Sequence, residues 1–403
     1  MSTQAVFVID AIRSPIGRYR GALSRVRADD LAAHVVRALV DRNPALTERI
    51  DQVVFGSTNQ AGEDNRNVAR MAALLAGLPY EVPAVTVNRL CGSGLEAVND
   101  AARMIALGDA SLVIAGGVES MTRAPYSMAK SSEAFPRSAP EVYDTTLGWR
   151  YPNPRMAERF DLISMGETAE NVAKKYGISR EEQDAFALGS QQRAAAAWDA
   201  GEFDDEVAKI TVPGVGREPP REVSRDESPR GDTTLEALAK LKPAFRADGT
   251  VTAGNSSPLN DGSAAVLLAS EALVVELGLT PLVRYVASAT AGVHPSFMGE
   301  GPIPATKRAL SRAGLRAPNL SVVELNEAFA AQSLACIRGL ELDPARVNLR
   351  GGAIALGHPI GCSGARIVTT LAHLMRKQPE AKIGLASLCI GVGQGISTLF
   401  ERV

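Results

Sequence analysis

The sequence predicts an α/β protein with a mainly parallel β-sheet covered on both faces by helices. From residue 5 to about residue 121, short apolar runs alternate with helical patterns, and this alternation is typical of parallel sheets. A length of 403 residues allows two or three domain-sized units. The first unit predicts strands at 5–9, 51–56 and 111–117 and helices at 28–42 and 67–78.

Composition narrows the class of protein further. The 43 Lys and Arg nearly balance the 45 Asp and Glu, so nothing favours nucleic acid or a membrane surface as partner. No apolar run approaches the ~20 residues of a membrane span. The N-terminus enters a strand almost directly, and the last residues are not a peroxisomal tripeptide. Four widely spaced cysteines do not form a disulfide pattern, so we expect a reducing cytoplasm.

The segment from about Arg123 to Asp248 differs in composition from the chain before it. Its first part is rich in Pro, Ser and Arg, yet it concentrates six of the nineteen aromatic residues, which a flexible linker would not do. We therefore predict an ordered, irregular cap that also suits an oligomer contact. Helices follow at 168–175 and 180–200, and the charged segment 217–230 is predicted to be a solvated loop. The aromatic residues are Tyr126, Phe135, Tyr143, Trp149, Tyr151 and Phe160.

The last third of the chain repeats the order of elements of the first. A turn is predicted at 260–262 and a strand at 264–268, after which the pattern begins again near Pro281. Two similar α/β halves would face each other across a pseudo-twofold axis, which brings Cys91 opposite the glycine-rich turn 351–364. The matching stretches are 6–11 with 283–287, 53–56 with 322–325, 87–98 with 347–366, and 111–117 with 383–387.

The stretch around Cys91 is the first candidate for chemistry. A short buried strand is predicted at 83–87, a helical pattern follows from Leu95, and Gly92-Ser93-Gly94 permits a tight turn between them. Unpaired N–H groups at a helix N-terminus stabilise negative charge, so the thiol is expected to ionise nearer neutral pH. The alternative is a small buried side chain on a turn, and this stretch alone leaves both open.

Three further side chains follow predicted strands or tight turns. Asn326 follows a buried strand and would either fix a water molecule or cap a helix. His358, between Gly357 and Pro359, can act as a base for a thiol and as a donor to an oxyanion. Cys389 ends a predicted strand before a glycine-rich turn, where backbone N–H groups can face a ligand, or it is a core cysteine.

The remaining histidines and cysteines are assigned elsewhere. His34 and His373 fall in helical patterns and are predicted to be structural, His294 lies in a loop, and Cys336 belongs to the core. Cys362 is a rival for the role of a second thiol. No metal is expected, because a His–Cys pair at ligand spacing has no partner pair. The glycines at 391–395 do not open a βαβ unit, so a dinucleotide site is not predicted.

Six motifs follow one another along the chain: VNRLCGSGLEAV (87–98), AGGVESMT (115–122), TAGNSSPLNDG (252–262), NEAFA (326–330), GGAIALGHPIGCSGAR (351–366) and CIGVGQG (389–395). Taken together and in this order, they resemble the motifs of the thiolase family. The resemblance implies two similar βαβαβαββ halves in a five-layer α-β-α-β-α arrangement, with a loop domain inserted in the first half. It places the domains at 1–122 plus 250–273, 123–249 and 274–403, and it implies a homotetramer or homodimer.

The resemblance also implies roles for individual residues. Cys91 matches the acylated nucleophile, His358 its activator, Asn326 the holder of an oxyanion-hole water, and Cys389 the acid–base cysteine. The N–H groups of Cys91 and Gly391 would form a second oxyanion hole. No permanent cofactor is implied, and coenzyme A and acyl-CoA are substrates. The positions that match coenzyme A contacts or tunnel walls are Arg230, Phe245, Ala253, Ser257, Met165, Met298, Ala328 and Phe329.

The substrate class follows from two details of the resemblance. Acetoacetyl-specific biosynthetic thiolases tend to have His-Met-Gly where this chain has Ser164-Met165-Gly166. The cap segments 144–150 and 153–154 instead resemble degradative 3-oxoadipyl-CoA thiolases, and basic groups near Arg150 are candidates for the distal carboxylate. A medium-chain 3-oxoacyl-CoA, or acetoacetyl-CoA in the condensing direction, remains an alternative.

Three other classes of protein are disfavoured. Decarboxylating ketosynthases usually pair a cysteine with two histidines, whereas the second position here is Cys389. A non-catalytic acyl-CoA carrier needs no activated nucleophile. A thiol redox enzyme would be expected to carry a C-x-x-C pair.

Overall fold

The computed structural model describes residues 4–403, and within them the chain forms a mixed sheet, two small hairpins and twelve helices. The strands are β1 (Val6–Arg13), β2 (Gly17–Arg18), β3 (Gln52–Gly56), β4 (Ala84–Val87), β5 (Leu112–Ser120), β6 (Tyr126–Met128), β7 (Val142–Asp144), β8 (Ile210–Val212), β9 (Arg221–Val223), β10 (Asn260–Ser270), β11 (Val283–Gly292), β12 (Val322–Leu325), β13 (Ile383–Ile390) and β14 (Gln394–Arg402). The helices are α1 (Ala28–Arg42), α2 (Val68–Leu75), α3 (Ser93–Leu107), α4 (Pro154–Ala157), α5 (Met165–Tyr176), α6 (Arg180–Asp199), α7 (Leu235–Ala239), α8 (Glu271–Leu277), α9 (Pro302–Arg312), α10 (Ala330–Leu340), α11 (Ala353–Leu356) and α12 (Ile360–Lys377).

The main sheet consists of two halves joined at one short seam. The first half runs β1-β10-β5-β3-β4 and the second β11-β14-β13-β12, and β1 meets β11 through only two antiparallel residue pairs. Among the strands of this sheet, β3 pairs in parallel with β4 and β5, and β12 with β13, whereas the other strand pairs are antiparallel. The expectation of a mainly parallel sheet is therefore wrong. The last strand of each half is antiparallel to both of its neighbours: β10 lies between β1 and β5, and β14 lies between β11 and β13. The strand–helix alternation of the sequence does not reveal this arrangement.

Helices α3 and α12 form the central layer of the molecule. They pack against each other, and between them they contact strands of both halves of the sheet. The outer face of the first half is covered by α1 and α2, and that of the second by α9 and α10. The predicted α/β fold with two similar halves in five layers is therefore confirmed. In the second half an isolated pairing of Val323 with Val347 stands where the first half has β4.

Two local predictions are wrong. Residues 260–262 begin β10 instead of forming a turn, because Asp261 pairs with Ser120 of β5 and the pairing outweighs the local turn preference. The strand at 83–87 is not buried: β4 is the edge of the sheet, and Val85 is 37% exposed. Helix α1 spans the predicted residues, with its buried residues on one face.

The region between β5 and β10 supplies the cap and several helices. The cap holds the β6–β7 hairpin and α4 within irregular chain. A buried ion-pair cluster anchors the region to the sheet: Arg13 of β1 contacts Glu206 at 2.6 Å and Asp226 at 2.7 Å. Arg217, Arg221, Arg225 and Arg230 are exposed, as predicted. The segment 217–230 is nevertheless not entirely a solvated loop, because Arg221–Val223 forms β9 against β8 and Asp226 is buried against Arg13. Within residues 4–403, no helix combines the length and apolar character needed to cross a bilayer.

Candidate active site

Cys91 lies at the N-terminus of α3, on the central layer. Leu90 directly before it has a left-handed φ of 47°, a conformation that non-glycine residues rarely adopt. Two local hydrogen bonds hold it there: the Leu90 N–H donates to Asn88 Oδ1 at 2.9 Å, and the Ser93 hydroxyl donates to the Leu90 carbonyl at 2.6 Å. The strained turn leaves the half-buried Cys91 at the start of the helix, as predicted.

The glycines after Cys91 let the two central helices approach closely. A Cβ atom on Gly94 would lie 2.7 Å from the backbone nitrogen of Ala365 and 2.8 Å from the carbonyl of Gly361, both on α12. Only a residue without a side chain permits this contact. The close crossing fixes the turn that carries Cys91 relative to the segment that carries His358.

The turn between β13 and β14 faces the turn that carries Cys91. A Cβ atom on Gly391 in that turn would lie 3.3 Å from Leu90 Cδ1, in the residue before Cys91. Val392 and Gly393 after it have positive φ angles of 62° and 81°. The backbone N–H groups of Gly391 and of Cys91 itself both lower the pKa of the Cys91 thiol. The structure thus brings together two turns from opposite halves of the fold.

The expectation that Cys91 ionises nearer neutral pH is wrong. Burial raises the pKa of this thiol to about 11, and the hydrogen bonds from the Gly391 and Cys91 N–H groups only partly oppose that rise. The buried carboxyl of Glu119 acts in the same direction as burial. Burial also lowers the pKa of His358 to about 4. At pH values between about 4 and 11, the Cys91 thiol and the His358 imidazole are therefore both neutral.

The reactivity of Cys91 should consequently rise with pH through the neutral range. Only the thiolate is alkylated readily, and below a pKa of about 11 the thiolate fraction grows about tenfold per pH unit. Iodoacetamide labelling of Cys91, followed by peptide mass spectrometry, is expected to accelerate by about that factor per unit between pH 7 and 9. The buried Cys336 and Cys362 serve as internal controls and should stay unlabelled. A plateau already below pH 8 would instead indicate a thiolate–imidazolium pair.

His358 is held from several sides. Its backbone N–H donates to Asn260 Oδ1 at 2.9 Å, and Gly357 before it has a φ of 111°, with no room for a side chain beside the Asn260 amide. On the ring, Nδ1 lies 2.6 Å from the Ser363 hydroxyl, and Nε2 lies 3.5 Å from the Asn326 amide nitrogen. These contacts bring His358 and Asn326 together.

Asn326 begins the segment after β12 and is fully buried. Its N–H donates to the Ser387 carbonyl at 2.9 Å, which fixes its backbone. Its side-chain oxygen Oδ1 has no hydrogen-bond partner among residues 4–403. A buried acceptor without a partner can bind a water molecule or a ligand donor.

Cys389 lies at the end of β13, near Cys91. Burial, and then the charge of Cys91, raise its pKa well above the usual value, so it stays protonated. Cys362 instead packs against Ala264 and Ala365 in a separate cluster. Cys336 is buried on α10, as predicted. One apolar cluster surrounds Cys389, and it contains Ala169, Val251, Met298, Ala328 and Phe329, with Met165 packed against it.

The predicted coenzyme A contacts fall into two groups. Met165, Met298, Ala328 and Phe329 share the cluster around Cys389. Phe245 packs edge-to-face on Phe329 at 6.1 Å, and the N–H and hydroxyl of Ser257 donate to the Ala328 carbonyl. Ala253 and Arg230 are exposed and lie outside this cluster.

Glu119 is a site residue that sequence reasoning missed. It lies on β5, is 3% exposed, and accepts hydrogen bonds from the N–H groups of Thr58, Asn59 and Gly361 at 2.8–3.1 Å. Burial raises its pKa to about 7. In the sequence, the signal that could have identified Glu119 is a carboxylate side chain within an otherwise apolar strand. Glu119 joins the loop after β3 to the start of α12, close to His358.

The other histidines have structural contacts. His34 and His373 lie on α1 and α12 and contact the carbonyls of Ala208 and Ala11 through Nε2. His294 caps a 3₁₀ turn and packs against Phe160 and Phe297. Residues 4–403 contain no group of three or more His, Cys, Asp or Glu side chains placed to hold a metal ion.

Comparison with known proteins identifies the family. Family models match residues 6–272 as "Thiolase, N-terminal domain" and 279–402 as "Thiolase, C-terminal domain". The chain is 56% identical over 400 residues to an Escherichia coli 3-oxoadipyl-CoA/3-oxo-5,6-dehydrosuberyl-CoA thiolase, and 54% identical over 400 residues to an Acinetobacter baylyi beta-ketoadipyl-CoA thiolase. Both alignments cover 98% of this chain and 99% of the relative. Human mitochondrial 3-ketoacyl-CoA thiolase in complex with CoA superposes with a TM-score of 0.91 at 42% identity, covering 99% of this chain and 98% of that one.

The chain belongs to the thiolase family. It is an acyltransferase that cleaves a 3-oxoacyl-CoA with CoA to give acetyl-CoA and a shortened acyl-CoA. Coenzyme A is therefore a substrate of the reaction.

Proposed function

We propose that this thiolase acts on 3-oxoadipyl-CoA and that Cys91 carries the acyl group between two half-reactions. The observation that supports this mechanism most directly is the meeting of the Cys91 and Gly391 turns. A Cβ atom on Gly391 would lie 3.3 Å from Leu90 and 3.5 Å from the sulfur of Met165, which packs against the cluster that contains Cys389. A nucleophile, two oxyanion donors and a second thiol then share one site. The names of the relatives and the resemblance of the cap support the substrate.

In the first half-reaction Cys91 attacks the keto carbon of the substrate. His358 Nε2 takes the thiol proton, which requires the other ring nitrogen to carry a hydrogen. Ser363 can accept that hydrogen bond at 2.6 Å while donating its own proton to the Pro359 carbonyl at 2.9 Å. The oxyanion develops on the carbon that is now bonded to the Cys91 sulfur, where the N–H groups of Cys91 and Gly391 stabilise it.

Cleavage of the carbon–carbon bond leaves acyl-Cys91 and the enolate of acetyl-CoA. Protonated His358 Nε2, together with a water held by Asn326, stabilises the enolate, because negative charge now appears on a different oxygen. Cys389 donates its proton to the enolate carbon, and the protonated state favoured by its raised pKa suits that task. Acetyl-CoA leaves, and Cys389 remains as the thiolate.

In the second half-reaction the Cys389 thiolate takes the proton of an incoming CoA thiol. The CoA thiolate attacks the thioester on Cys91, releases the shortened acyl-CoA, and leaves Cys91 to recover its proton from His358. We propose that the positions matched to coenzyme A contacts bind it: Arg230, Phe245, Ala253, Ser257, Met165, Met298, Ala328 and Phe329.

The position before Met165 supports a degradative assignment. Where acetoacetyl-specific relatives tend to carry histidine, Ser164 caps α5: its hydroxyl accepts from the Glu167 N–H, and Glu167 reaches back to the Ser164 N–H. A side chain engaged in this capping box is not available to bind a short oxoacyl group.

We further propose a homodimer or homotetramer in the cytoplasm, divided at 1–122 plus 250–273, 123–249 and 274–403. The half-exposed edge strand β4 and the exposed Tyr126 and Met128 of the cap support assembly, because bare strand edges and apolar side chains favour association. The four cysteines, all free in the structure, fit a reducing compartment.

The substrate assignment is tested by CoA-dependent cleavage of three compounds. We expect loss of the enolate absorbance of 3-oxoadipyl-CoA with a kcat/KM well above that for acetoacetyl-CoA and for a longer, uncharged 3-oxoacyl-CoA. A preference for either of the other two would keep the thiolase reaction and overturn the adipyl assignment.

A further inference from the structure

We propose that the guanidinium group of Arg150 binds the distal carboxylate of the acyl chain and so selects dicarboxylic substrates. This inference rests on the proposed function and assigns the recognising group within the same site. Arg150 is half-buried in the irregular part of the cap, directly after Trp149.

Two carbonyl groups hold the side chain in place. Nη1 donates to the Thr145 carbonyl at 2.8 Å and Nη2 to the Asn59 carbonyl at 3.1 Å. A guanidinium carries five N–H donors, so three of them remain after these bonds. The remaining donors include the Nε–H, and they are enough for a two-point contact with a carboxylate.

Among the residues that the structure describes, Arg150 has no acidic partner. Within residues 4–403 no carboxylate oxygen lies within 4.0 Å of its nitrogen atoms. By contrast, the buried Arg13, Arg350 and Arg366 all contact glutamate or aspartate. A half-buried cation fixed by carbonyls alone has an unused capacity to bind an anion.

A short chain of contacts connects Arg150 to the nucleophile. Arg150 bonds Asn59, whose neighbour Thr58 donates its hydroxyl to the Leu90 carbonyl at 3.3 Å, and Leu90 precedes Cys91. Thr58 and Asn59 are themselves fixed by the buried Glu119. The guanidinium therefore contacts the loop at residues 58–59, and this same loop contacts the turn that carries Cys91.

The chain after Arg150 returns to the other side of the site. The indole N–H of Trp149 donates to the Ile163 carbonyl at 3.4 Å, next to the start of α5. Met165 there packs beside Gly391, where a Cβ atom would lie 3.5 Å from its sulfur. The cap segment thus runs from the loop that contacts the Cys91 turn to the start of α5 beside the Gly391 turn, and it carries Arg150.

Other arginines of this segment are less suited. Arg155 is exposed on α4, and Arg159 lies over the ring of Phe160 at 5.8 Å. Neither is tied to the loop beside Cys91. Arg155→Met is therefore a matched control for Arg150→Met, since each change removes one cap guanidinium of the same length.

The test compares 3-oxoadipyl-CoA with 3-oxohexanoyl-CoA, which has the same six-carbon chain but no distal carboxylate. For Arg150→Met we expect kcat/KM for 3-oxoadipyl-CoA to fall about 10- to 100-fold, the range for a lost hydrogen bond to a charged group. The value for 3-oxohexanoyl-CoA should stay within about twofold, and Arg155→Met should change neither. A parallel fall for both substrates would show that Arg150 only supports the cap, and an unchanged ratio would show no role; either overturns the proposal.

The outcomes also separate this inference from the substrate assignment. A wild-type enzyme without preference for 3-oxoadipyl-CoA overturns the assignment itself. A wild-type preference that survives Arg150→Met overturns only the role of Arg150. Should Arg150→Met fail to fold by circular dichroism, Arg150→Lys is measured instead. It keeps the charge but loses the forked geometry, so the expected ratio is reduced but not abolished, and an unchanged ratio counts against the proposal.

Discussion

Replacing Cys91 by serine is expected to abolish the burst of acetyl-CoA and to lower turnover by about 10³-fold or more, as removal of a covalent nucleophile does. A serine hydroxyl is far harder to deprotonate than a thiol. His358, whose pKa burial lowers to about 4, is a weak base for it. Rapid-quench measurement of acetyl-CoA within the first turnover, together with the intact mass of the protein, reports acylation directly.

The matched control for this experiment is Cys362→Ala. Cys362 is equally buried but packs in a separate cluster on α12, so its loss should leave the burst intact. Retention of a full burst by Cys91→Ser would mean that the acyl group is carried elsewhere. Loss of the burst in both Cys91→Ser and Cys362→Ala, with an unchanged thermal midpoint, would indicate that Cys362 takes part in the covalent step.

The elements most accurately predicted were those specified by local pattern. Helix α1 has the predicted bounds because its apolar residues recur at helical spacing. The strand–turn–helix around Cys91 was likewise readable, since the glycines that permit the turn are adjacent in sequence. The duplication of the fold was visible for the same reason: each half repeats the order of its elements.

The errors came from contacts between residues distant in sequence. Asp261 lies in a strand because Ser120 pairs with it. Strand β4 is an edge because, among residues 4–403, no strand pairs with its other side. The pKa of Cys91 depends on how completely the second half of the fold covers it, which the helix N-terminus alone does not indicate. Glu119, Asn260 and Ser363 were missed because each acts on His358 or its surroundings through the folded chain.

Replacing Cys389 by alanine is expected to slow proton transfer to the enolate without preventing nucleophilic attack by Cys91. Without the proton donor, acylation of Cys91 should still be detectable by mass, since the attacking group is intact. Exchange of deuterium into the methyl group of acetyl-CoA should slow by about 10²- to 10⁴-fold, the usual contribution of a positioned acid–base group. The measurement is the rate of exchange by NMR in deuterated buffer.

The change is small in volume and lies against Met298 and Phe329, so stability should alter little compared with the rate. Cys362→Ala again provides the control, and its exchange rate should match the wild type. Normal exchange in Cys389→Ala, combined with slow exchange in Cys362→Ala, would assign the proton transfer to Cys362. The packing favours Cys389, because its cluster contacts Met165, whose sulfur would lie 3.5 Å from a Cβ atom on Gly391 in the turn that faces Cys91. Cys362 packs against Ala264 and Ala365 in a separate cluster. A thiol must lie beside the nucleophile turn to protonate an enolate formed there.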